Sequence, residues 1–325
     1  MDNLAYLTKI FEECRLCPRN CGIDRTDGSK RACSGFCKQN NTLRVAFVGP
    51  HFGEEPPISG SRGSGAVFFS GCSLKCSFCQ NYQISRDGMG KAFQMDELFG
   101  KVSRLIREKN VHNINFVTPD HFFPYTFRLV DLLQKNGYDL PIVYNLSGYQ
   151  SVKSLRMVEA YADIYLPDYK YSDPSTSWNL SGCKDYPMVA LDAIAEMVKQ
   201  KGFLDSFNSG AELATEGVLV RHLILPGKIE NSLNALTSLF IEFGADIPVS
   251  IMSQYHPVLT HEDNDLNRSL TQEEFDRIYS HALDLGFKNL FVQFPDRNHM
   301  ESKRHFPFVP DFNMAEPFSG DRSVY

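Results

Sequence analysis

From residue 66 onward, short runs of strand character alternate with longer stretches of helical period, and this alternation restricts the fold more than any other feature of the chain. Six runs read as strands: AVFFS (66–70), NINFVT (113–118), PIVYNL (141–146), ADIYLPD (162–168), GVLVRHLIL (217–225) and IPVSIMS (247–253). After them the spacing predicts helices over Met95–Lys109, Pro124–Asn136, Ser151–Tyr161, Pro187–Lys201, Asn231–Phe243 and Thr271–Leu285, with Gly137 and Gly286 as stops. A seventh run, NLFVQF (289–294), would extend the sheet. Six βα units are too few for the closed eight-unit barrel and too regular for a sandwich. Right-handed crossovers then give an α/β fold, a partial (β/α)6 TIM-like barrel with its mouth at the carboxyl ends of the strands.

The 325 residues, 42% of them hydrophobic, are enough for a large core. A net charge of −6 with a pI near 5.9 argues against an extended polyanion partner, so no nucleic acid is expected. The start, MDNLAYLTKIFEECRLC, lacks a basic segment followed by an apolar core, and nowhere do eighteen apolar residues run together. The expectation is a soluble cytoplasmic protein with no membrane partner. Nine cysteines without a secretion signal fit metal or cluster ligation in a reducing compartment better than a disulfide framework. The chain divides into a cysteine-rich extension (1–65), the partial barrel (66–294) and a tail (295–325). The tail's HFPFVPDFNMAEPF has no clear period and is expected to pack over the barrel's surface or open edge.

Cys72, Cys76 and Cys79, in FSGCSLKCSFCQNYQIS, lie directly after the first strand run. C-x3-C-x2-C supplies three thiolates where a cubane 4Fe-4S cluster needs four, which leaves one iron open to a cofactor. Structural zinc would want four ligands, and no second knuckle follows Cys79. A second group, Cys14, Cys17, Cys21, Cys33 and Cys37, falls within CRLCPRNCGIDRTDGSKRACSGFC. This reads as a small metal-nucleated lobe, with Cys14, Cys17, Cys21 and Cys33 as candidate ligands for zinc or a second iron-sulfur cluster; spacing does not separate the two. The alternative is unligated thiols in a loop-rich extension.

Together, CRLCPRNCGIDR, the run HFGEEPPISGSRGSGAVFFSGCSLKCSFCQNYQIS, YLPDYKY and VRHLILPG resemble the radical S-adenosylmethionine (SAM) superfamily. The resemblance covers roughly residues 12–295 and is to the branch similar to pyruvate formate-lyase activating enzymes, with an added amino-terminal cysteine segment. It implies SAM on the fourth iron, reductive cleavage to a 5′-deoxyadenosyl radical, and a one-electron donor such as flavodoxin or ferredoxin. It also implies a protein or peptide substrate, by analogy a glycine in a glycyl-radical enzyme. Phe78 matches the aromatic that relatives carry before the third cysteine, placed to pack on adenine.

Asp168 and Lys170, two apart in YLPDYK, lean to one side of the fourth strand and match an Asp-x-Lys that relatives use near SAM. The competing reading is a surface ion pair. Arg221 lies in an apolar strand run where an unpaired charge is costly, so it requires an anion. That anion is the SAM carboxylate by resemblance, or an internal partner such as Asp168. Asn145, Ser147, Gln254 and His256 end the third and sixth strands and are expected at the same mouth, while His222 points away as a packing residue. The Gly-Gly-Glu-type motif of many relatives is replaced by VTPDHFFP, with Thr118, Asp120 and His121 as substitutes and Asp120 the natural acceptor for the SAM amine. SGSRGSG (59–65) precedes a strand and so is no phosphate cradle, and Cys183 has no cysteine neighbours. Two other functions fit parts of the pattern: a non-catalytic iron-sulfur electron-transfer or sensor protein, and a zinc-stabilised binding module.

Overall fold

A computed structural model describes residues 9–295 and 308–318 of the chain. Strand β1 (Arg44–His51) pairs antiparallel with β2 (Ser64–Phe69) and with the short β3 (Lys91–Ala92). From β2 the sheet continues in parallel through β4 (Ile114–Val117), β5 (Ile142–Leu146), β6 (Ile164–Pro167) and β7 (Gly217–Val218). Every residue of β2, β4 and β6 is buried, which is why these segments read as unbroken apolar runs rather than alternating ones. The sheet thus begins upstream of residue 66, inside the segment expected to be an extension. RVAFVGPH conceals that strand because its Gly and Pro weaken a strand reading, yet Pro50 is tolerated in this antiparallel pair opposite Gly65.

GVLVRHLIL does not form one strand. It passes from the first sheet to a second at Leu219, with β7 on β6 and β8 (Val220–Leu223) on β9 (Val249–Met252). β10 (Leu290–Val292), the seventh run, completes this three-stranded parallel sheet. The two sheets meet where Asp168 bridges Arg221 and the Tyr169 amide donates to the Arg221 carbonyl at 2.8 Å. The result is a mixed α/β fold of parallel strands that curve around one open mouth.

The helices follow from local chemistry. Met95–Lys109 opens with Asp96 and Glu97, closes with Arg107 and Lys109, and stops at Asn110 in the left-handed region. It buries Leu98, Val102 and Leu105, spaced as one helical face. Gln272–Leu285 starts on a capping box between Thr271 and Glu274 and ends at Gly286. Phe123–Lys135, Tyr186–Lys201 and Ile229–Phe243 match expectation closely, whereas Val152–Val158 is shorter than expected. Pro174–Ser181 is an additional helix, capped by Asp173; PSTSWNLS carries little apolar period by which to anticipate it.

Three further features shape the mouth. The Tyr186 hydroxyl donates to the Ser147 or Asp168 carbonyl, each 2.9 Å away, and accepts from the Lys170 amide, clasping the ends of β5 and β6. The amino-terminal lobe is tied down by Arg19, which donates to the carbonyls of Ser73, Ser181 and Gly182. It is also tied by the fully buried Arg25, bonded to the His121 and Asn40 carbonyls. From the tail, Phe312 and Phe318 pack on the cluster of Ala66, Phe68, Ile84 and Val117; the rest of the expected tail lies outside the described residues. Among the described residues no helix is long and apolar enough to cross a membrane.

Candidate active site at the strand ends

The cysteine loop leaves the carboxyl end of β2 through Gly71, whose φ of +84° suits glycine. Cys72, Cys76 and Cys79 then line a cavity of about 190 Å³ at the ends of the parallel strands. The Leu74 and Lys75 amides donate to Cys72 Sγ at 3.3 and 3.5 Å, and Ser85 Oγ donates to Cys79 Sγ at 3.3 Å. Burial, with the neighbouring thiols adding to it, pushes the Cys72 and Cys79 thiols up. Three thiols lining one cavity match in number and kind the protein donor set of a 4Fe-4S cluster that leaves one iron open. Among the described residues no fourth cysteine lines the cavity.

Most of the residues expected at the mouth line the same cavity: Phe78, Asn145, Ser147, Asp168, Lys170, Arg221 and Gln254, together with Thr118. Phe78 is buried between Tyr171 and Tyr255, with ring centroids 6.3 and 6.2 Å away. Lys170 Nζ lies 2.6 Å from Asp168 Oδ2, so the Asp-x-Lys is an ion pair of the cavity wall and not of the open surface. Burial would lower the Lys170 ammonium, but Asp168 outweighs it and holds the group charged. Thr118 sits at the end of β4 with φ +55°, a strained conformation for a β-branched residue, and its amide donates to the Asn145 carbonyl.

Three expectations are corrected. Arg221 does not meet Asp168 through its side chain. Its Nη2 lies 2.8 Å from Glu54 Oε2 and its Nε 2.9 Å from Glu55 Oε1, a partnership 166 residues apart that strand reasoning had no means to see. The signal was in the sequence all the same: two adjacent carboxylates ahead of Pro-Pro, and an arginine in an apolar strand requiring an anion. Glu54 lines the cavity, accepts from Asn115 and Asn145 at 2.8 and 3.0 Å, and is held below the usual carboxylate range by Arg221 despite its burial. Asp120 turns away from the cavity. It accepts from Ser73 and Gln150, both at 2.8 Å, and burial pushes its carboxyl up to about 6. It braces the cysteine loop from behind, as does His121, which bonds the Ser70 carbonyl at 2.7 Å. His256 does not line the cavity either.

His222 is the packing residue expected, buried between the Tyr169 carbonyl and Ser232. One wall of the cavity comes from parts the sequence did not nominate: His51, Phe68, and Phe308 and Phe318 of the tail. The His51 ring lies 4.4 Å from that of Phe318 and is kept neutral by burial. The five amino-terminal cysteines lie outside this cavity, and all nine cysteines are free thiols.

Residues 59–166 match a sequence family described as a 4Fe-4S single cluster domain. An uncharacterized protein of Methanocaldococcus jannaschii is 28% identical over 290 residues, covering 86% of this chain and 75% of that protein. Among solved structures, SuiB of Streptococcus suis bound to S-adenosylmethionine is similar over 71% of this chain and 46% of its own, at 12% identity and a TM-score of 0.44. The FeFe-hydrogenase maturase HydG of Carboxydothermus hydrogenoformans is similar over 73% and 55%, at 14% identity and a TM-score of 0.49. The chain thus spans about half the length of these two structures. The stretch from 59 to 166, which contains all three cavity thiols, is similar to a single-cluster iron-sulfur domain.

Proposed function

We propose that this chain is a radical SAM enzyme, with a 4Fe-4S cluster on Cys72, Cys76 and Cys79 and SAM on the fourth iron. The observation that carries the reading is the trio of thiols, one donor short, facing a cavity lined by both charged and apolar groups. When bound, the cluster supplies one electron to the SAM sulfonium, and the carbon-sulfur bond breaks to give methionine and a 5′-deoxyadenosyl radical.

The chain's own residues bind, orient and shield. Glu54, held ionised by Arg221 and facing the cavity, offers the carboxylate that suits the SAM ammonium. Arg221, committed to Glu54 and Glu55, holds Glu54 in place. Lys170 offers a cation for the SAM carboxylate, and Phe78 an apolar face for adenine. Phe308 and Phe318 keep water from a site in which a radical would otherwise attack whatever it met. By resemblance, the hydrogen donor is a glycine of a partner protein or another peptide C–H bond.

Anaerobically reconstituted, reduced protein is expected to release 5′-deoxyadenosine from SAM, and the Cys76→Ala variant to release none. Absence of product from cluster-loaded protein, with candidate substrates present, would sink the reading. A glycyl doublet in electron paramagnetic resonance, on incubation with a glycyl-radical enzyme, is the sign expected for the substrate class.

A further inference from the structure

We propose that Cys14, Cys17, Cys21 and Cys37 hold a second iron-sulfur cluster at the back of the Cys72 loop, with Cys33 outside the ligand set. The Cys14 amide donates to the Ile23 carbonyl, and the Gly22 amide to the Cys14 carbonyl, both at 2.9 Å. This pairing folds the segment back on itself and brings Cys21 beside Cys14. Between them the Asn20 amide bonds the Cys17 carbonyl at 3.0 Å, with Asn20 at φ +48°. The Cys37 segment meets this loop at Gly35, where a methyl group would stand 3.5 Å from Cys21 Sγ. Cys14 and Cys37 are buried, whereas Cys33, which ends the turn Lys30–Cys33, is only part-buried; Cys33 and Cys37 both line one surface groove.

Arg25 supplies the charge that four thiolates would need. It is fully buried, its Nη1 lies 3.6 Å from Cys14 Sγ, and its Nε has no hydrogen-bond partner among the described residues. A cluster fits better than zinc. Thiolates on one tetrahedral zinc stand ~3.8 Å apart, whereas cluster thiolates each take a different iron and stand farther apart. Among the described residues no three Cys, His, Asp or Glu side chains are gathered as ligands of a single ion. The same holds of Cys72, Cys76 and Cys79, whose stretch matches a 4Fe-4S domain. The two centres would be neighbours. A methyl on Gly71 would stand 2.9 Å from the Cys37 carbonyl, and Arg19 of the lobe bonds the Ser73 carbonyl at 3.0 Å.

The proposal does not depend on radical chemistry, and its test separates the two. Full-length protein with Cys72, Cys76 and Cys79 all replaced by alanine is reconstituted anaerobically with iron and sulfide. It is expected to keep about four irons per chain, with cluster absorption and a Mössbauer signature. Adding Cys37→Ala should abolish that iron, and adding Cys33→Ala should leave it. No iron in the folded triple variant, one zinc instead, or loss with Cys33→Ala but not Cys37→Ala would each overturn the proposal. If the triple variant does not fold, the wild-type count decides: about eight irons per chain supports a second cluster and about four overturns it.

Discussion

Glu54 and Asp120 show how far two buried carboxylates can diverge within one site. Glu54 faces the cavity and is kept ionised by Arg221, so Glu54→Gln is expected to weaken SAM binding by about 10- to 100-fold. Equilibrium dialysis with cluster-loaded protein measures this; unchanged affinity would remove Glu54 from the amine site. Asp120 faces inward, and burial raises its carboxyl from 3.8 to about 6. A carboxyl raised on folding favours the folded state while protonated, and that contribution is lost as pH climbs through about 6. Wild-type stability relative to Asp120→Asn should therefore fall by about 2 kcal/mol between pH 4 and 7, read from urea midpoints. A pH-independent difference would show that Asp120 titrates normally. The sequence showed that Arg221 required an anion, because charge inside an apolar strand admits no other reading. It did not show which anion, since Glu54 and Glu55 precede β2 and reach Arg221 only through the closed fold.

Elements were most readable where periodicity and caps coincide. Met95–Lys109 and Gln272–Leu285 carry an amphipathic face with a defined stop, and the latter a capping box as well. Thr271→Ala should cost about 1 kcal/mol, seen as a lower thermal midpoint; no change would mean that the first turn is held by packing alone. β1 and the break at Leu219 were hidden for opposite reasons. One carries turn residues within a strand, and the other is an unbroken apolar run that changes partners midway. The join between β2 and the cysteine loop tolerates no side chain. A Cβ on Gly71 would stand 2.6 Å from Gln39 Cγ and 2.9 Å from the Cys37 carbonyl, at φ +84°. Gly71→Ala is expected to destabilise the chain by about 2 kcal/mol or more and to lower iron retention at the Cys72 site. A stable, fully loaded variant would show that the lobe can move aside.

The molecule as a whole reads as a set of parallel strands with its two least regular parts at the margins, the tail on the cavity wall and the amino-terminal lobe behind the cysteine loop. The barrel-like core followed from the alternation of elements, but these two parts lack any period, so their positions emerge only from contact. Phe318 illustrates this: its ring rests on Phe47, His51 and Phe68 at the cavity wall. Phe318→Ala should speed maleimide labelling of Cys79 in metal-free protein, mapped by mass spectrometry, and equal rates would place the barrier elsewhere. The amino-terminal lobe bears on how the protein is made. Arg19 bonds Gly182, 163 residues later, so at ribosomal rates its anchor is synthesised on the order of ten seconds after it. During that interval the five amino-terminal cysteines have only part of their dock, the Ser73 and His121 carbonyls. Until the partner segment has been translated, these thiols are more open to oxidation than in the folded chain.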